Sequence, residues 1–99
     1  MQMQRIIIIL LLVLTGNYLY AQSTKVKGKV TDAKTGEVLP LVNVVFKGTT
    51  VGVTTDFDGE YVLETRQNVA ELQASFVGYG IQTIKINQGA FNTVNFQLE

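Results

Sequence analysis

The chain has no cysteine and no histidine. The first absence removes any disulfide framework and any thiol nucleophile; the second removes the imidazole base of the common serine and cysteine hydrolases. A catalytic zinc site normally takes three protein ligands, most often including histidine, and leaves one position for water. Aspartate and glutamate alone make a poor cage for that ion. Ser23 and Ser75 are serines without a histidine partner; composition leaves a Ser–Lys pair open, and no spacing places one. We therefore assign no catalytic residue, no cofactor-binding residue, no metal ligand and no cofactor, and expect a protein that is not an enzyme. An excess of one charge is missing as well, with eight Lys and Arg against eight Asp and Glu. Without a clustered basic surplus there is no electrostatic footprint for nucleic acid or anionic lipid.

What is present begins with Arg5, followed by the unbroken apolar run 6–14, the breaker Thr15-Gly16-Asn17 and the small residue Ala21. One positive charge, an apolar stretch and a small residue before the cut are the three parts of a secretory signal peptide. A membrane-spanning helix needs about 20 mostly apolar residues, and Gly16-Asn17-Tyr18 interrupts this run first, so an uncleaved anchor is the lesser alternative. Residues 1–21 are read as a signal-peptide helix cut after Ala21, and residues 22–99 as one small exported domain. No cysteine follows the run to carry a lipid. A small exported domain without disulfides must hold by apolar packing alone, or by packing against a larger partner.

Beyond residue 21 the apolar period is two, with Gly, Asn and Asp turns between the runs and no amphipathic helix. Strands are expected over 25–31, 42–47, 53–55, 60–65, 70–77, 81–87 and 92–98. Val26, Val30, Val42, Val44, Phe46, Tyr61, Leu63, Leu72, Ala74 and Phe76 share inward parity, as do Ile84, Ile86, Val94, Phe96 and Leu98. Lys25, Lys27 and Lys29 fall on the opposite, wet face of the first strand. Gly28, on the face of Val26 and Val30, leaves room for a neighbouring backbone. Pro40 lacks a donor, so the ladder of the second strand should start near Val42, and Asn87-Gln88-Gly89 reads as the hairpin between the last two strands. With no helix to cover a sheet, two sheets packed face to face bury both inner surfaces, and a Greek-key sandwich is expected; a small closed barrel is the alternative.

Asp56-Phe57-Asp58-Gly59-Glu60 has the oxygen-rich look of a calcium loop. With Gly59 at the sixth position, the first is Thr54 and the twelfth Thr65, where a bidentate Glu belongs. Two of the strongest ligands are absent, and an aspartate-held turn with Gly59 at positive φ is favoured. Tyr61 shares parity with Leu63, and Tyr79 follows a bend glycine, which favours core and corner packing over sugar stacking.

Three segments read together carry a resemblance: Gly28-Lys29-Val30-Thr31-Asp32 with Thr35-Gly36-Glu37-Val38-Leu39-Pro40, then residues 42–50, then Thr54-Thr55-Asp56-Phe57-Asp58-Gly59-Glu60-Tyr61. Together with Phe76-Val77-Gly78-Tyr79, their order resembles the carboxypeptidase-regulatory-like domain found at the amino terminus of TonB-dependent outer-membrane receptors of the Bacteroidota, including those of the SusC type. The resemblance spans nearly all of residues 25–99. It implies a transthyretin-like, seven-stranded Greek-key β-sandwich on the periplasmic face of the outer membrane, without peptidase activity. The implied partner is an outer-membrane transporter or another envelope protein. Leu41 departs from the pattern, which usually has a small residue such as Gly after the proline. Such receptors continue through plug and barrel, so the expected role is a truncated or detached accessory part. The alternative is a stand-alone exported module that binds a glycan or a protein.

Overall fold

The alternation becomes eight short strands in the computed structural model, which describes residues 22–99. The expected signal-peptide helix at residues 1–21, and the cut expected after Ala21, fall outside the described residues. The strands are β1 (Thr24–Asp32), β2 (Asn43–Phe46), β3 (Gly52–Thr54), β4 (Glu60–Thr65), β5 (Glu71–Ser75), β6 (Gln82–Lys85), β7 (Phe91–Thr93) and β8 (Phe96–Leu98). One sheet runs β4-β1-β7, with β8 continuing along β1; the other runs β3-β2-β5-β6. The two sheets face each other as a sandwich, and no helix occurs among the described residues.

Side-chain parity sorts the faces as expected. Val26, Val30, Val42, Val44, Phe46, Leu72, Ala74, Phe96 and Leu98 are essentially without solvent contact, and each large apolar side chain so enclosed contributes about 1.5–3 kcal/mol of transfer free energy. Tyr61 lies 6.3 Å from Phe96, ring to ring, inside this core. Leu39 and Val69 join it from the connections, where no alternation announced them. Ile84, Ile86 and Phe76 are only partly covered, at its margin.

β1 is the shared strand of the first sheet. It pairs antiparallel with β4 from Thr24 to Lys29, and parallel with β7 at Lys25 to Lys27 and with β8 at Val30 to Asp32. The strand expected at 92–98 is therefore broken at Val94 and Asn95. Gly28 supplies the reason. A Cβ on this residue would lie 1.6 Å from the carbonyl oxygen of Val94, so the main chain at residue 94 occupies the space that any side chain at 28 would need. Tyr61, cross-strand from Gly28, donates its hydroxyl hydrogen to that carbonyl at 2.5 Å. Beyond the notch the Asn95 side chain takes over the ladder, its Oδ1 accepting from the Lys29 amide at 3.0 Å. Buried inward parity at Asn92, Val94, Phe96 and Leu98 persists through the break, which is why alternation alone reads one strand there.

The expected hairpin at Asn87-Gln88-Gly89 is instead a crossing between sheets, since β6 pairs with β5 and β7 with β1. Asn92 folds its amide back into this loop, accepting from the Asn87 amide at 2.9 Å and donating to the carbonyls of Asn87 and Ala90. The loop's polar groups are thus met by a side chain in place of a hairpin ladder.

Gly28→Ala is expected to cost about 3 kcal/mol, the upper end of overpacking. Lys27→Ala, which removes only an ammonium 5.6 Å from the exposed Phe91 ring, should cost about 0.5 kcal/mol. Urea unfolding of the two variants beside the parent checks the contrast.

Candidate functional site

β1 runs from a polar end at Thr24 to a loop-rich end at Asp32. Around the Asp32 end gather the β1–β2 connection, the β3–β4 turn and the β5–β6 bend, each pinned by a side chain. Thr55 is buried and does two jobs, donating to the Leu39 carbonyl at 2.6 Å and accepting from the Val42 amide at 3.0 Å. Between those contacts lies the tight turn Pro40-Leu41, further held by the Leu41 amide donating to the Thr55 carbonyl at 3.0 Å. Leu41 adopts φ of 63°, alone among the described non-glycine residues in the left-handed region. Proline at the second turn position and positive φ at the third are the preferences of a type II turn, which calls for glycine at the third. The departure noted at Leu41 is thus a strained residue on an intact turn.

In the β3–β4 turn, Asp56 Oδ1 accepts from the amides of Asp58 and Glu60, both at 2.9 Å, and Gly59 sits at φ of 74°. The carboxylate serves the loop's own backbone, the arrangement favoured from the sequence. Among the described residues no three His, Cys, Asp or Glu side chains come together as a metal cluster. Ser23 and Ser75 fall at opposite ends of the sandwich, Ser23 ahead of β1 and Ser75 at the close of β5.

The β5–β6 bend turns at Gly78, φ of 91°, and places the Tyr79 hydroxyl 2.6 Å from Asp32 Oδ2. Asp32 Oδ1 accepts from the amides of Lys34 and Thr35 at 2.8 and 3.0 Å. The Tyr79 hydrogen bond first, and these amides next, hold the Asp32 carboxyl below its ordinary value of 3.8; the same bond pushes the Tyr79 phenol above 10. Tyr79 packs its ring 6.0 Å from Phe76, so its hydroxyl and one ring face are engaged within the domain. Tyr61 is enclosed, and burial drives its phenol well above the usual range. Sequence reasoning anticipated the corner role of Tyr79 and the turn role of Asp56. It missed Thr55, Asn92 and Asn95, whose partners are distant or on the far side of a loop.

The pattern shared by these loops has counterparts elsewhere. A family model described as CarboxypepD_reg-like domain matches residues 26–99. The chain belongs to this family. It is 39% identical over 93 residues to TonB-dependent receptor P3 of Formosa agariphila, a match that covers 94% of the chain and 9% of the receptor. It is 42% identical over 82 residues to TonB-dependent receptor SusC of Bacteroides thetaiotaomicron, covering 79% of the chain and 8% of the receptor. The chain thus spans under a tenth of the length of these relatives. A chain of the type II cohesin–X-dockerin complex of Acetivibrio cellulolyticus superposes with a TM-score of 0.52 at 18% identity, over 74% of this chain and 52% of that one. That likeness concerns the fold, an all-β sandwich.

Two outcomes follow. Leu41→Gly removes a left-handed cost of about 1–2 kcal/mol and adds unfolded-chain entropy of about 0.4–1, a net stabilisation of roughly 0.5–1 kcal/mol read as a higher urea midpoint at unchanged slope. Because the Asp32 pKa is lowered on folding, its contribution is complete above the unfolded value of about 3.9 and is lost as pH falls through the folded value. Tyr79→Phe should therefore move the Asp32 carboxyl midpoint upward in an NMR titration, toward the ordinary value.

Proposed function

We propose that the chain acts as a non-enzymatic accessory domain of a TonB-dependent outer-membrane receptor system, on the periplasmic side, by docking against another envelope protein. The observation that carries this reading is the identity of 39% and 42% to two such receptors across most of the chain. Physical chemistry supports it. The polar side chains that converge at the loops and the notch are committed to structure: Asp32 and Asp56 to loop amides, Thr55 to the turn at Pro40, and Tyr61 to the Val94 carbonyl. What remains for function is a stiff frame with shaped loops, suited to recognition. Transport itself belongs to the assembly.

The test is affinity capture of the tagged, leader-bearing chain from gently solubilised envelopes of its native host. Enrichment of a TonB-dependent receptor or its energising protein, lost for the Gly28→Ala variant, is the expected result. Envelope capture without any such component, or a chain found in the cytosol with residues 1–21 still attached, would falsify the reading.

A further inference from the structure

Exposed apolar side chains are distributed unevenly over this domain. Phe57 is 90% exposed, Val77 93%, Leu41 65% and Ile81 65%, and all four lie on the loops at the Asp32 end. At the opposite end, among the described residues, one large apolar side chain is so displayed, Phe91 at the head of β7, 57% exposed, and the ammonium groups of Lys25 and Lys27 lie over its ring. The loops that carry the four are contiguous. The Leu41 amide bonds the Thr55 carbonyl, two residues from Phe57, and Asn43 lines the same shallow depression as Val77 and Ile81.

Each exposed group also stands on a turn that is already fixed. Asp56 pins the turn of Phe57, Thr55 that of Leu41, and the Tyr79–Asp32 bond closes the bend that bears Val77 and Ile81. Loops held this way lose little freedom on binding, so burial of their apolar groups appears largely as affinity. Large apolar groups on a rigid, polar-rimmed surface mark a contact site, with an aromatic side chain as its usual anchor. The charge around them has one dominant sign. Asp32, Glu37, Asp56 and Asp58 border this end against Lys34, whereas Lys47, Arg66 and Lys85 border the other against Glu71.

We infer that the Asp32 end, centred on Phe57 and Val77, docks onto a protein surface that presents apolar side chains among lysines and arginines. Charge selects this occupant. A second copy would bring like acidic rims together, and an anionic bilayer would meet the same repulsion. The inference rests on the docking role proposed above and names its surface.

Photo-crosslinking amino acids placed at Phe57, at Val77 and, as control, at Gln88 of the full chain in its native host provide the test, with the captured peptide sequenced. Expected are cross-links from 57 and 77 to one protein, at a segment with Lys or Arg flanking apolar residues. Their yield should fall at least tenfold in the Glu37→Lys/Asp58→Lys variant, while its thermal midpoint stays near the parent's. Cross-links from 88 but not from 57 or 77, adducts to a second copy or to phospholipid, no adduct at all, or yields indifferent to charge reversal each overturn the inference. A receptor captured through 88 alone would preserve the accessory role and sink this surface. A basic-rimmed protein outside any TonB-dependent system, captured through 57 and 77, would do the reverse.

Discussion

The sandwich depends on a place where one strand has no side chain. At Gly28 the Val94 carbonyl enters the space a Cβ would fill, and the Tyr61 hydroxyl closes over it. That contact ties β4, through Tyr61, to the segment joining β7 and β8, across the middle of β1. The same strand can then pair with β4 along one edge and with two short strands along the other. In a domain without disulfides, a buried phenol with its one donor satisfied combines apolar area with a directional bond. Burial of the ring and satisfaction of its hydroxyl have to occur together, because an unpaired donor in this interior would forfeit what the ring contributes.

A stiff interior allows the loops to be irregular. Thr55, Asp56 and Asp32 each turn a side-chain oxygen onto backbone amides of a connection, and each connection takes its sharp bend at a left-handed residue nearby. Leu41 shows how firmly the frame imposes geometry, since a branched apolar residue is held at positive φ with its side chain in water. Here the described carboxylates and hydroxyls with short contacts are spent on the fold, and the loops present apolar groups outward. The CarboxypepD_reg-like family model spans residues 26–99, frame and loops alike.

Residue parity was enough to place most of the core. Val26, Val44, Phe46, Tyr61, Leu72 and Phe96 are buried where alternation put them, because a strand's side-chain period of two is a local property that any sheet must respect. Turn residues were equally legible, Asp56 and Gly59 among them, since their chemistry acts over a few positions. Partners were not. Asn87-Gln88-Gly89 has the composition of a hairpin yet crosses between sheets, and Asn92 through Leu98 keep one parity across a break in the ladder. Local pattern and composition sufficed for the all-β class, the inward faces, the lack of imidazole and thiol groups and the family. It took the packed fold to fix which edges of β1 are shared, that Tyr61 bonds Val94, and that Leu41, Phe57, Val77 and Ile81 lie at one end. Those facts join residues up to dozens of positions apart, and long-range pairing is set by the free energy of closing the whole sandwich, which no local pattern encodes.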